Sequence, residues 1–301
     1  MSTNRGAGAQ AGLRTGPSIW LAAPAMTFFA IFALIPLLGV VALSFMNWDG
    51  LNNPGFVGGQ NWTRILTDPV TLNAMKLSVM LTIATWVTQF PTSLLLGVFM
   101  AGQQRYREWY SVLYFLPLLF SSAAVGIAFK ALLDPNFGLG SALGIDAINK
   151  DWLGDPNLSM PTLVFVIAWS FVPFHSLLYQ GAARQLPVSV YEAAMIDGAG
   201  RVATFFNITL PMLRSTIITS STLMIVGSLT YFDLIFVMTA GGPGNATRIL
   251  PLDMYLRGFR SYDMGGASVV GVILVVVGVG ISYALNRASG NTKMESTLEG
   301  A

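Results

Sequence analysis

"VYEAAMIDGAG", Val190 to Gly200, is a short polar stretch with two acids and two glycines set between long apolar runs. Pro187 closes the segment before it, Ser189 stands where an N-cap is wanted, and Glu192 follows three residues later, the spacing of a capping box. Ala193, Ala194, Met195 and Ile196 propagate a helix, and Gly198 or Gly200 can supply a left-handed C-cap. A second helical stretch, "RVATFFNITL" from Arg201 to Leu210, runs up to Pro211. The local pattern predicts two short helices joined at glycines over about 186–212, a built connector and not a slack one.

What it connects follows from the charge-free runs. Residues 15–48, 77–104, 109–129, 156–183, 215–232 and 264–286 contain no Asp, Glu, Lys or Arg. A helix needs about 20 apolar residues to cross the hydrocarbon of a bilayer. The runs therefore predict an all-α membrane protein with six spans, at about 19–45, 76–100, 109–131, 160–181, 214–238 and 265–286. The first apolar stretch is too long for a signal-peptide core and reads as an uncleaved anchor behind a flexible tail, residues 1–16. Residues 289–301 read as a second tail.

Composition agrees. Only 10% of the 301 residues are charged, where soluble domains have about a quarter. A net charge of +2 is too small to point to nucleic acid. Without cysteine there is no disulfide framework, thiolate metal site or cysteine nucleophile, and the single histidine, His175, argues against a histidine metal centre or triad. No metal site or catalytic residue is expected. Lys and Arg are in slight excess in the segments that include 184–214, most densely at Arg105 and Arg107, which predicts both termini and the 186–212 loop inside the cell.

The spacing around the opening stretch resembles the EAA signature of the membrane subunits of bacterial ABC importers. That signature is Glu-Ala-Ala, three residues, Gly, nine residues, Ile, one residue, Leu-Pro. Here it reads Glu192-Ala193-Ala194, Gly198, Ile208 and Leu210-Pro211, with every fixed position matched. Tyr191 before it and Asp197-Gly198-Ala199 within it are similar to the carbohydrate-uptake branch. So are "FDLIFVMTAGGPGNAT" (232–247), "MNWDGL" and "FVGGQNWTRILTDP", which look like maltose- and glycerol-phosphate-type sugar permeases.

The resemblance implies a six-span type I importer bundle, MetI-like, in a bacterial cytoplasmic membrane. It further implies an ATPase-subunit dimer docked on the loop, a second homologous permease subunit and an extracytoplasmic sugar-binding protein. Tyr191, Glu192, Ala193, Ala194, Asp197, Gly198, Ala199, Ile208, Leu210 and Pro211 would carry the coupling, with Glu192 meeting a basic group and the alanines permitting close approach. A phosphate-binding loop ends in Gly-Lys-Ser/Thr, whereas Lys76, Lys130, Lys150 and Lys293 follow Met75, Phe129, Asn149 and Thr292. ATP and magnesium are therefore expected on the partner ATPase, and no cofactor on this chain.

The path of the cargo is marked less sharply. At helical spacing, Thr82, Trp86, Gln89 and Ser93 share a face of the second span. Ser221, Ser228 and Tyr231 do so in the fifth, and Trp169, Ser170 and His175 lie in the fourth. Aromatic faces and neutral hydrogen-bonding groups suit a sugar, yet such groups equally hold helices together inside a bundle. Asp233 is an intramembrane acid near the outer end of its span, suited either to function or to a structural pairing. The competing class is an ion-coupled secondary transporter of a small polar solute. It would want several buried ionisable groups or an internal repeat, and only Asp233 is available.

Overall fold

The computed structural model describes residues 19–102 and 105–288. The predicted tails at 1–16 and 289–301 fall outside them. Helix α1 (Trp20–Leu43) leads into a two-stranded ribbon, β1 (Met46–Asn47) antiparallel to β2 (Gly55–Phe56), with Met46 opposite Phe56. Next come α2 (Gln60–Thr67), α3 (Pro69–Met100), α4 (Arg105–Tyr114), α5 (Ser122–Leu132), α6 (Leu139–Leu143) and α7 (Pro156–Arg184). The opening stretch forms α8 (Val188–Ile196), followed by α9 (Arg201–Met212), α10 (Arg214–Ser228), α11 (Asp233–Met238), α12 (Leu250–Tyr255) and α13 (Met264–Ala288).

Four helices, α1, α3, α7 and α13, are long and apolar enough to cross a membrane unbroken, and α9 with α10 makes a fifth such pair bent by 71°. Two predicted spans are not continuous helices. The third is α4, a 3-10 turn at Leu116–Leu119 and then α5, because Pro117 interrupts the i to i−4 ladder. The fifth is α10 and α11 separated at 229–232. Charge-free runs report solvent preference and carry no information on backbone continuity, which is why both breaks escape them. Pro91 and Pro173, by contrast, sit inside unbroken α3 and α7.

The centre of the bundle is the crossing of α3 and α7. A Cβ on Gly97 would lie 2.6 Å from both the Ser176 carbonyl and the Tyr179 Cβ, so the absence of a side chain there sets how closely the helices meet. Leu77 and Leu81 of α3 pack with Leu163 and Ile167 of α7, Val125 of α5 and Ile235 of α11 in the main core. Some hydroxyls along α3 are satisfied within the helix, Thr85 donating to the Leu81 carbonyl and Thr88 to that of Ala84. Helix α1 has no buried window and lies with its second half against α13, leaving Phe28, Phe29 and Phe32 exposed as a lipid-facing helix would.

The end of the bundle opposite the 185–213 loop is closed by ion pairs. Asp253 on α12 is fully buried and accepts from Arg248 Nε at 2.9 Å, Arg257 Nε at 2.9 Å and Thr71 Oγ1 at 3.1 Å. Arg257 also pairs with Asp68 at the start of α3, and Arg64 on α2 with Asp263 at 2.8 Å. Burial alone would raise the Asp68 and Asp263 carboxyls. The Arg257 and Arg64 guanidiniums outweigh it and hold both below the ordinary carboxylate value. A carboxyl depressed on folding contributes stability above its unfolded pKa and loses it as pH falls through the folded one. Thermal stability of the purified protein is therefore expected to be level from pH 8 to pH 5 and to fall below about pH 4. A midpoint that already drops between pH 7 and pH 5 contradicts this assignment.

Candidate functional site

Helix α8 begins one residue before the predicted cap. Pro187 is its N-cap, with φ −62° and ψ 130°, and no side chain caps it, so the Ser189–Glu192 capping box does not form. Proline presets the turn into the helix, and the hydroxyl is not needed. The C-terminus follows the prediction closely. Gly198 has φ +76°. The Ala199 amide donates to the Ala194 carbonyl at 2.9 Å and the Gly198 amide to that of Met195 at 3.1 Å. These two bonds are a Schellman closure, which turns the chain sharply into α9. Gly200 is not left-handed; with φ −70° and ψ 163° it is the N-cap of α9.

Past Gly200 the loop returns to the bundle. Residues Phe205–Thr209 widen into a π turn, and Tyr191 Oη lies 3.2 Å from Thr209 Oγ1, tying α8 to α9. Leu210 packs with Phe205 against a cluster built on Leu94, Tyr179 and Leu213, where α3, α7 and the start of α10 converge. Gln180 Nε2 donates to the Met100 carbonyl at 3.0 Å, joining α7 to the end of α3. The matched motif thus has two parts. Leu210, with Ile208 and Pro211 beside it, roots the loop at the bundle, while Glu192, Ala193, Asp197 and Gly198 stand exposed at its tip. Ala199 is half-buried between them.

The tip differs from the expectation in one respect. Ala194 is buried against its own chain, 5% exposed, and is not available for close approach to another protein, which leaves Ala193 for that role. The exposed apolar surface comes from Met195, Ile196 and Val202, exposed by 68%, 86% and 71%. In a chain with so many apolar residues, nothing in their spacing singles them out.

A cavity of about 470 Å³ opens between α7, α10, α11 and the start of α5. Three predicted path residues line it, His175, Tyr231 and Asp233, together with Phe171, Phe174, Phe232, Thr230 and Ser122. His175 Nδ1 is 2.9 Å from Ser220 Oγ, bridging α7 to α10. Phe171 and Tyr231 rings lie 5.2 Å apart. Asp233 is exposed and has no ion-pair or hydrogen-bond partner among the described residues, so it does not serve the structural pairing considered for it.

The remaining candidates divide. Thr82 and Ser228 bond each other at 2.6 Å across α3 and α10, acting as helix glue. Gln89 is fully buried beside Tyr231, and the Trp86 indole nitrogen is buried near it on the same helix. Ser170 donates to the Val166 carbonyl at 2.9 Å, and Ser93 to that of Gln89 at 2.5 Å. Trp169 lies in a different groove, between α3 and α7, edge-on to Phe129 at 5.2 Å. Among the described residues no cluster of His, Asp or Glu is placed to hold a metal ion.

Long apolar helices, broken and unbroken, around a mostly apolar cavity, with a capped loop rooted where α3, α7 and α10 converge, fit an integral membrane subunit. The chain belongs to the family of binding-protein-dependent transport system inner membrane components, whose sequence profile matches residues 93–291. It is 31% identical to the diacetylchitobiose uptake system permease protein NgcF of Streptomyces coelicolor, over 90% of this chain and 82% of that protein. It is likewise 31% identical to the multiple sugar-binding transport system permease protein MsmF of Streptococcus mutans, over 85% and 88%. A bacterial ABC transporter involved in the import of the acidic polysaccharide alginate shares the fold, with a TM-score of 0.79 at 22% identity over 91% of this chain and 96% of that one. The expected MetI-like permease fold is thereby established, mostly helical with one short two-stranded ribbon.

Proposed function

We propose that this chain is the membrane-spanning permease subunit of an ATP-driven importer for a di- or oligosaccharide. The 185–213 loop faces the cytoplasm, as do both termini, and docks on a separate ATPase subunit that holds ATP and magnesium. The ion-paired end faces outward, toward an extracytoplasmic sugar-binding protein, and a second homologous permease completes the membrane unit.

One observation carries the reading. The loop tip presents Met195, Ile196 and Val202 to solvent on a helix closed at Gly198, while its root is locked to α3, α7 and α10 through Leu210 and Leu213. An exposed apolar knob marks a protein contact, and this one is rigidly joined to the helices that wall the cavity. Movement of a docked ATPase would rock those helices and open the cavity to alternate sides. The named substrates of two relatives, diacetylchitobiose and multiple sugars, support the sugar class. The aromatic rings of the cavity, with the Ser122 and Thr230 hydroxyls among them, suit a ligand with C–H faces and many hydroxyls.

The test is co-purification. The tagged chain should bring down an ATP-hydrolysing subunit, and Met195→Asp with Ile196→Asp should release it while the chain stays in the membrane. Retention of that subunit by the double variant at wild-type yield would refute the docking surface.

A further inference from the structure

The cavity between α7, α10 and α11 is uneven in charge. Asp233 contributes a carboxylate, and neither Lys nor Arg lines the wall. His175, which also lines the cavity, turns Nδ1 to Ser220 and has no carboxylate partner among the described residues. Asp233 itself is exposed and unpaired among the described residues, so nothing on this chain neutralises it. The rest of the lining is mostly apolar, with four aromatic rings, among which Phe171 and Tyr231 lie 5.2 Å apart, and the hydroxyls of Ser122 and Thr230.

We propose that the Asp233 carboxylate makes this cavity select uncharged or amino-bearing sugars and reject sugar acids and sugar phosphates. The inference rests on the sugar-path reading given above and narrows it to a charge class. A carboxylate accepts hydrogen bonds from sugar hydroxyls and attracts an ammonium group, while the rings take up C–H faces. A bound anion has no cation on this wall to replace its lost water. Held about 5 Å from Asp233 at an effective dielectric of about 20, it is disfavoured by on the order of 100-fold before screening.

The experiment uses the assembled membrane complex in nanodiscs without the binding protein, whose own pocket would otherwise dominate. Saturation-transfer NMR is run with maltose, cellobiose and lactose, with cellobiouronic acid and glucose 1-phosphate as anions, and with the disaccharide of glucosamine. Neutral and amino sugars should bind at least about tenfold more tightly than the anions, and Asp233→Asn should bring the ratio to within about threefold. Asp233→Ser serves as a second variant should the amide perturb assembly. Equal binding of neutral and anionic sugars, unchanged in both variants, overturns the charge inference and leaves the sugar path standing if Tyr231→Ala weakens all of them. Absence of binding by every sugar overturns the sugar path and the charge inference with it.

Discussion

Gly198→Val is expected to abolish substrate uptake while leaving the protein inserted in the membrane at normal levels. The glycine has φ +76°, a backbone conformation that a β-branched residue reaches only with strain. A Cβ added there would meet nothing within 4 Å, so the defect is not a clash. The substitution instead opposes the Schellman closure, in which Ala199 and Gly198 cap the Ala194 and Met195 carbonyls. Strain of this kind is worth about 1–3 kcal/mol, little against the whole bundle but enough to misplace a nine-residue helix. The series should follow tolerance of the left-handed region: Gly198→Asn close to wild type, Gly198→Ala intermediate, Gly198→Val inactive. Uptake into proteoliposomes is measured beside the yield of inserted protein. Valine and asparagine variants of equal activity would show that the turn at Gly198 does not govern coupling.

The loop could be read from the sequence because its geometry is local. Left-handed glycine, a helix of fixed length before it and a proline after it are set by residues a few positions apart, and the spacings Glu192–Gly198 and Gly198–Ile208 survive as the tip and the returning helix of the loop. What local pattern cannot supply is facing. Ala193 and Ala194 are equivalent in sequence, yet one is exposed and the other buried. Trp169 and His175 share a span, and the structure sends them to different grooves. His175 comes from a different span than Tyr231 and Asp233, with no spacing to relate them, and the break at 229–232 is what lets the last two meet the same cavity. The outer ion pairs were beyond reach for a different reason. Thr71 and Asp253 are 182 positions apart and Asp68 and Arg257 are 189 apart, so no window of sequence contains both partners.

Asp253→Ala is expected to destabilise the protein by about 3–5 kcal/mol, the usual cost of removing one partner from a buried charge cluster. The Asp253 side chain is fully buried, while those of Arg248 and Arg257 are 19% and 13% exposed. Alanine therefore leaves Arg248 with only the Asn245 amide oxygen as a side-chain partner, while Arg257 and the Thr71 hydroxyl both keep Asp68. Arg257→Ala should cost less in the Asp253→Ala background than alone, since the penalty belongs to the unpaired charge and not to packing. Because membrane proteins of this size commonly unfold irreversibly, the readout is the inactivation half-life at fixed temperature in detergent. The damage should also travel inward. Helix α12 is fastened to α3 by the Leu250 amide donating to Ser78 Oγ at 2.8 Å, and the Ser78 carbonyl accepts from Thr82, which pairs with Ser228 on α10. Loss of the ion cluster should therefore slow uptake per surviving molecule as well as shorten its lifetime. Additive effects of the Asp253 and Arg257 variants, or a loss below about 0.5 kcal/mol for either, would reduce the cluster to a surface decoration.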